Sequence, residues 1–276
     1  MQTAALFFPF DLFGSGGAGA GAQLLADAVQ EMLADNRREQ MPSRGHSYTP
    51  HIRIRELLLD TEREVERWRR RARRTIGATL QRSERLIWVT GNHLGVLPLY
   101  DEISEANSKT IVVQLDAHLD VYNLTDCQPH LSHGNYLMHC AGPLPKIIHV
   151  GSRDLLLPAS HIHRYYHAVY PAEEIARAPE RVIAAVTKAC KPAGRVVVDL
   201  DCDAFDPAFF PAVSHPLPFG LTPAFVLSLL SSLGAERIDI LAVSEFTPAH
   251  DRHDQGLGTL LWLLEWLFLR WYEGDK

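Results

Sequence analysis

Two short stretches of the chain alternate polar, metal-binding types of side chain with small or apolar ones. They are Asp116-Ala-His118-Leu-Asp120 and Asp199-Leu-Asp201-Cys-Asp203. In an extended segment, residues two apart face the same side, so each stretch would present its polar side chains together. Carboxylates held that close raise one another's pKa values unless a cation lies between them. Mixed carboxylate and imidazole ligands suit Mn²⁺ or Fe²⁺ better than the thiolate sites of structural zinc.

Short β-branched runs alternate with helical segments along the chain. The predicted strands are Ala4 to Phe13, Arg85 to Thr90, Thr110 to Leu115, Lys146 to Val150, Arg195 to Val198 and Arg237 to Val243. The predicted helices are 22–34, 55–80, 179–190, 223–233 and an apolar C-terminal helix, and 35–50 is predicted to be loop. This alternation indicates an α/β fold, a three-layer αβα sandwich with a mostly parallel sheet. Since no repeat or linker interrupts it, we predict one domain over residues 1–276.

The candidate residues follow the carboxyl ends of the predicted strands, where open parallel sheets bind their ligands. His93 follows the strand that ends at Thr90, and the two aspartate-rich stretches follow two further strands. Glu245 follows the last strand. The sequence therefore predicts one site to which several strands contribute.

These residues resemble the hallmark segments of the ureohydrolases, the arginase and agmatinase superfamily. The matching segments, in the family's order, are Gly91-Asn92-His93, Asp116-Ala-His118-Leu-Asp120, Ser132-His133-Gly134, Asp201-Cys-Asp203-Ala-Phe-Asp206-Pro207 and Glu245. The resemblance spans about Ala4 to Asp251, and the two aspartate-rich motifs in this order are highly specific. It implies an arginase-type fold.

The resemblance also implies a binuclear metal centre with two Mn²⁺ per chain. Its implied ligands are Asp116 and Asp201 as bridges, His93 and Asp120 on one ion, and His118 and Asp203 on the other. Asp199 stands where relatives often have serine, so it is left out of this set.

The activity implied by the resemblance is that of an amidinohydrolase, which cleaves the guanidino group of arginine or an arginine-like substrate to an amine plus urea. A guanidinium carbon is a poor electrophile, and cations that lower the pKa of water supply the strong nucleophile that it needs. Asp120 and His133 would move protons, one of them to the departing amine. Glu245 would hold the guanidinium by charge-assisted hydrogen bonds, with His133 also lining the substrate site.

Three segments depart from the family pattern. Asn92 replaces an aspartate beside His93, which removes a carboxylate expected to support the metal ligand. Val121-Tyr122-Asn123 and Leu155-Leu156-Leu157 stand where arginases bind the α-carboxylate and α-amino groups of free arginine. We therefore expect a small guanidino compound or an arginine-containing peptide as substrate. In the second case the protein would be a peptide arginase that converts peptide-bound arginine to ornithine.

Alternatives from other classes stay open. One is a single-metal, deacetylase-like enzyme on the same fold, and the other is a catalytically silent metal-binding regulator. The paired aspartate motifs favour two metals over one. The catalytically silent regulator remains an alternative because Asn92 replaces an aspartate beside a predicted metal ligand. Gly14, Gly16 and Gly19 match a dinucleotide-binding GxGxxG, but no second strand with a terminal acidic residue follows about 20 residues on.

Side chains outside these motifs have simpler interpretations. Arginines of 67–74 lie near Glu62, Glu64 and Glu66, which predicts a solvated, ion-paired helix face. His161, His163 and His167 are predicted at the surface or rim of the protein, and Cys127 has no convincing base partner. The C-terminal tryptophans are expected to pack in the core, with a homo-oligomer interface as the second interpretation.

The composition is that of a soluble globular protein. The 276 residues carry a formal net charge of −6, with 46% hydrophobic and 22% charged residues, and this argues against nucleic-acid binding. No apolar run reaches the roughly 18–20 residues of a membrane helix, and the N-terminus has no signal-peptide pattern. The 4 cysteines form no CxxC pair, so a cytoplasmic location is expected.

Overall fold

A parallel sheet runs through the centre of the computed structural model, which describes residues 1–14, 16–57, 65–82, 84–106, 109–123 and 130–273. Within these residues the strands are β1 Thr3–Phe8, β2 Ile52–Glu56, β3 Arg85–Thr90, β4 Thr110–Leu115, β5 Lys146–Val150, β6 Ala168–Tyr170, β7 Arg195–Asp201 and β8 Ile238–Ser244. The helices are α1 Ala18–Arg38, α2 Val65–Gln81, α3 Leu97–Ala106, α4 Ala159–Ile162, α5 Ala172–Arg177, α6 Pro179–Cys190, α7 Pro223–Leu233 and α8 Gln255–Tyr272.

The order of the strands across the sheet is β2-β1-β3-β8-β7-β4-β5-β6, and every neighbouring pair is parallel. The four central strands are therefore β3, β8, β7 and β4. Because parallel strands end at the same edge of a sheet, the segments that follow these four strands meet at one place.

Side chains of the sheet pack into two separate hydrophobic cores, one on each face. In β1, Ala5 and Phe7 pack on one face with residues of α1, α6, α7 and α8. Leu6 and Phe8 pack on the other face with residues of α2 and α3, including the buried Trp68. The sheet thus lies between two helical layers, and the prediction of an αβα sandwich with a parallel sheet is confirmed.

Helix α1 begins at Ala18 and ends at Arg38, so it extends beyond both ends of the helix predicted over 22–34. A Cβ atom on Gly21 would lie 1.8 Å from the carbonyl oxygen of Phe246. Glycine at this position therefore lets the first turn of α1 approach the loop after β8. The strand predicted to reach Phe13 ends at Phe8.

The sequence prediction missed both edge strands. β2 pairs with β1 where the loop and the long charged helix were predicted to meet, and β6 has only three residues. The predicted helix 55–80 is instead β2 followed by α2, with 58–64 outside the described residues. Most arginines of 67–74 are exposed, as predicted, but Arg69 differs because it pairs with the buried Asp101 of α3.

The C-terminal helix α8 lies in the core, as predicted, through residues that include Leu264, Phe268 and Trp271. Trp262 is an exception because it is exposed. None of the described helices is long and apolar enough to span a membrane.

Candidate active site

The first group of predicted ligands converges on one nitrogen of His93, just beyond the end of β3. The Nδ1 atom lies 3.2 Å from Oδ2 of Asp116, 2.9 Å from Oδ2 of Asp120 and 3.1 Å from Oδ2 of Asp201. These residues follow β3 and β4 or end β7. Three carboxylates and an imidazole therefore surround one point that is almost sealed from solvent.

A second group lies beside the first and shares Asp116 with it. The Nδ1 atom of His118 is 2.8 Å from Oδ2 of Asp203 and 3.9 Å from Oδ1 of Asp116. His93, Asp116 and Asp120 form one cluster able to hold a metal ion, and Asp116, His118 and Asp203 form another. All six residues in the predicted ligand set are thus brought together.

Backbone amides hold these carboxylates in place. Oδ1 of Asp116 accepts from the nitrogen of His118 at 2.6 Å, and Oδ1 of Asp201 accepts from the nitrogen of Asp203 at 2.9 Å. Arg153, in the segment that follows β5, donates to the backbone carbonyl oxygens of Asp203 and Ala204. The tight turn after β7 is therefore held both by its own backbone amide and by the Arg153 side chain.

The electrostatics of the two groups differ. Burial and the neighbouring Asp120 raise the pKa of Asp116 to about 7, and burial with repulsion from Asp203 raises the pKa of Asp201 well above its usual range. Burial opposes the charges on His118 and Asp203, but their pairing outweighs it, raising the pKa of His118 to about 10 and lowering that of Asp203 to about 2. The centre thus has more carboxylates than the protein's own cations neutralise.

Two buried atoms in the first group fit a bound cation. Neither Nδ1 of His93 nor Oδ2 of Asp116 has a hydrogen-bond partner among the described residues. Unsatisfied buried polar atoms are costly, and metal coordination is one way of satisfying them. Their types, one imidazole nitrogen among carboxylate oxygens, match the donors preferred by Mn²⁺ or Fe²⁺.

Glu245 and His133 lie beside the ligand groups. Oε1 of Glu245 accepts from the backbone nitrogen of His93 at 2.8 Å, and Nδ1 of His133 lies 3.7 Å from the same oxygen. The contact with Glu245 raises the pKa of His133, and partial burial opposes this. The His133 side chain is 32% exposed, so it can exchange protons with solvent.

Asp120 and Glu245 both have left-handed backbones, with φ of 49° and 62°. This conformation is uncommon for residues other than glycine and is found preferentially at functional sites. Here it occurs at two predicted catalytic residues, each in the loop after a central strand.

These side chains line a cavity of about 190 Å³. Tyr122, Ser214 and His215 complete the wall, and the ring of His215 lies 6.0 Å from that of His133. Sequence reasoning did not single out His215 as a site residue. Its position follows from the loop after β7.

Asp199 lies outside the predicted ligand set but contacts one of its members. Oδ2 of Asp199 is 3.1 Å from Nε2 of His93 and accepts from the hydroxyl of Tyr100 at 2.8 Å. Asp199 and Asp201 face the same side of β7 because they are two residues apart, so strand alternation was the sequence signal that places Asp199 near the ligands. Asn92, in contrast, donates to the carbonyl oxygen of Leu12 at 2.9 Å.

Two further histidines are structural. His161 is buried with Nε2 2.7 Å from the carbonyl oxygen of Val121, which corrects its predicted surface position. His149 is buried on β5 with Nε2 2.6 Å from the carbonyl oxygen of His118. A carbonyl can only accept, so each Nε2 carries the proton. Both histidines fix the loop that follows β4.

The parallel αβα fold and the two clusters able to hold a metal ion point to a class of metal-dependent enzyme. The family model described as "Arginase family" matches residues 2–262, so the chain is a member of the arginase family. The resemblance seen in the sequence motifs is thereby confirmed.

Particular relatives extend this finding. The N(1)-aminopropylagmatine ureohydrolase of Thermus thermophilus is 30% identical over 158 residues, covering 55% of this chain and 51% of the relative. The mitochondrial arginase of Medicago truncatula is 27% identical over 176 residues, covering 59% and 48%. The matched stretches thus span about half of each curated relative.

Solved structures agree in fold over most of both chains. The arginase from Bacillus subtilis superposes with a TM-score of 0.79 at 19% identity, covering 100% of this chain and 99% of its own. A hypothetical agmatinase from Burkholderia thailandensis gives 0.78 at 19% identity, covering 98% and 85%. At this identity the likeness establishes the arginase-type fold alone.

Proposed function

We propose that the protein is a manganese-dependent amidinohydrolase that cleaves a guanidino C–N bond to give an amine and urea. The observation that carries the proposal is Asp116, whose two carboxylate oxygens lie in two adjacent clusters beside Glu245 and His133. Membership of the arginase family supports the same chemistry.

The residues that would hold two Mn²⁺ ions are His93, Asp116, His118, Asp120, Asp201 and Asp203. When bound, two such cations lower the pKa of water toward neutrality and so supply a strong nucleophile. Asp116 and Asp201 are the shared ligands in this proposal. The excess of buried carboxylate over protein cations favours the uptake of divalent ions.

Glu245 binds and orients the guanidinium in the proposed mechanism. Its Oε1 accepts from the His93 amide, and Glu245 lines the same cavity as Asp120. Charge-assisted hydrogen bonds to a planar cation are both strong and directional. The carbon to be attacked would then lie over the carboxylate cluster.

Asp120 and His133 move the protons. Asp120 takes a proton at its carboxylate from the attacking water, and His133 supplies one to the nitrogen that leaves as the amine. Contact with Glu245 raises the pKa of His133 and so favours its proton-donating form, and its partial exposure allows replenishment from solvent. General acid–base catalysis of this kind is worth roughly 10²–10⁴ in rate.

We further propose a small guanidino compound or a peptide-bound arginine as the substrate, rather than free arginine. Leu155 and Leu156 are 96% and 69% exposed after β5, where an arginase would bind the α-amino group. The nearby carboxylate of Asp154 already accepts from the amides of Leu156 and Leu157. A substrate without charges at these positions fits this surface best.

A panel of guanidines with differently charged tails tests the proposal. Urea release by the Mn²⁺-loaded protein is measured with arginine, agmatine, guanidinobutyrate, N-acetyl-arginine amide and an arginine-containing peptide. We expect blocked arginine, the peptide or a simple guanidine to exceed free arginine in kcat/KM. Equal or better turnover of free arginine would contradict the substrate proposal, and no urea from any compound would favour a silent metal-binding protein.

A further inference from the structure

We infer that Asp199 is a positioning residue that orients His93 and sets which of its ring nitrogens is free to bind a metal ion. The inference rests on the proposed metal centre and deepens it. It assigns a role to a residue outside the ligand set that the sequence motifs imply.

The two nitrogens of His93 face different carboxylates. Nδ1 faces the carboxylates of Asp116, Asp120 and Asp201, whereas Nε2 lies 3.1 Å from Oδ2 of Asp199. A carboxylate is only an acceptor, so when a cation lies among the three carboxylates at Nδ1, the ring proton belongs on Nε2, where Asp199 accepts it. The neutral imidazole then presents its lone pair on Nδ1, toward the predicted ligands.

A tyrosine beside Nε2 could favour the other tautomer. The hydroxyl of Tyr136 lies 3.3 Å from Nε2 of His93, and a donated proton there would move the ring proton to Nδ1. However, the lone pair of an unprotonated Nε2 would then point at a lone pair of the Asp199 carboxylate, and the two would repel each other. The amide of Gln114 also donates to the Tyr136 hydroxyl at 2.9 Å, which leaves a hydroxyl lone pair to accept from Nε2.

Asp199 is itself held rigidly. It is fully buried on β7, and the hydroxyl of Tyr100 donates to the same oxygen that contacts His93. Its other oxygen, Oδ1, has no hydrogen-bond partner among the residues that the structure describes. A buried carboxylate so poorly solvated is costly, and its interaction with a cation-binding imidazole offsets that cost.

The location of this carboxylate also accounts for a departure from the family pattern. The chain lacks the aspartate expected at Asn92, and the Asn92 amide contacts Leu12 instead. Asp199 supplies a carboxylate to His93 from β7, the strand that also carries Asp201. Carboxylates that accept from a ligating histidine fix its orientation and raise its basicity.

Manganese binding to the metal-free full-length protein tests the inference. Free Mn²⁺ is followed by electron paramagnetic resonance during titration of wild type, Asp199→Asn and Asp199→Ser. Loss of such a partner weakens metal affinity by about 10–100-fold. We expect Asp199→Ser to lose this much affinity for one of two ions, and Asp199→Asn, which keeps an acceptor oxygen, to lose less.

A matched control and a second readout separate positioning from a general defect. Asp239→Asn makes the same change at a part-buried carboxylate that accepts from Val196 at the start of β7. We expect it to bind two ions with unchanged affinity. In Asp199→Ser, the spin-coupled signal of paired Mn²⁺ should give way to that of a single ion, because the His118 group is left intact. If the serine variant does not fold, the isosteric asparagine variant provides the comparison.

The outcomes distinguish the inference from the proposed function. Wild type that binds two ions, with Asp199 variants equal to it in affinity and signal, would overturn the inference alone. Equal weakening in Asp239→Asn would also overturn it. Wild type that binds no Mn²⁺ would overturn the proposed metal centre and the inference with it.

Discussion

The carboxylate of Glu245 accepts a hydrogen bond from the backbone nitrogen of His93, with Oε1 and N 2.8 Å apart. The two residues follow β8 and β3, which are neighbours in the sheet. The residue proposed to bind the guanidinium is thus fastened to a residue proposed to hold metal. Substrate and nucleophile would be positioned by one rigid unit.

Replacing Glu245 with glutamine should impair substrate use without removing the metal. The amide keeps an acceptor for the His93 nitrogen but loses the charge that attracts a guanidinium. Hydrogen bonds to charged groups are worth about 1.5–3 kcal/mol, so kcat/KM for urea release should fall by about 10–100-fold. Metal analysis should give the wild-type content, and an unchanged kcat/KM would contradict the assigned role.

The same variant should change the pH dependence of kcat. Contact with Glu245 raises the pKa of His133, so the protonated, proton-donating form persists to higher pH in wild type. Activity that needs this form is lost as the pH rises through the raised pKa. In Glu245→Gln the alkaline limb of the profile should therefore move to lower pH, and a limb that stayed in place would contradict proton donation by His133.

The buried His149 should make the protein less stable in acid. Burial lowers its pKa to about 4 from an ordinary value of 6.5. Between these values the unfolded chain binds a proton that the folded protein does not, so stability falls as the pH falls from about 6.5 to about 4. The full window corresponds to about 3 kcal/mol at most.

Comparison with His149→Gln isolates this contribution, because the glutamine keeps a donor toward His118 but cannot titrate. The free energy of unfolding of both metal-free proteins is measured by urea denaturation. As the pH falls, it should decrease more in wild type than in the variant. Parallel pH profiles for the two proteins would be the opposite result.

Gly91 should tolerate no side chain, because its added Cβ would lie 2.1 Å from the carbonyl oxygen of Phe10. Overpacking typically costs about 1–3 kcal/mol, and Gly91→Ala should lose at least this much unfolding free energy. A Cβ added to Gly258 in α8 would have no atom within 4 Å. Gly258→Ala should be neutral or stabilising by about 0.5–1 kcal/mol, and similar denaturation midpoints for both variants would contradict the close approach.

The central part of the fold and the candidate ligands were accessible to sequence reasoning. The β-branched runs of β3 and β4 are buried strands, and in a parallel sheet the polar residues that follow such strands meet at one edge. The edge strand β2 was missed because its alternating Ile-Arg pattern runs into a charged segment. Charge content alone does not distinguish an edge strand from an exposed helix.

Contacts between distant segments were not accessible in the same way. Strand alternation placed Asp199 beside Asp201, but its contact with Tyr100 depends on how α3 packs against β7. His161 was misplaced at the surface for a similar reason, since only the path of the loop after β4 brings Val121 to it. Such contacts are set by tertiary packing, which local patterns do not encode.

Urea release as a function of bound Mn²⁺ tests the central claim most directly. Metal-free protein is titrated with Mn²⁺, bound ions are counted, and urea is measured with the best guanidine of the panel. We expect activity to increase until two ions are bound per chain, and Asp201→Ala to bind fewer ions and release no urea. Full activity with a single ion, or wild-type urea release by Asp201→Ala, would contradict the proposed two-metal centre.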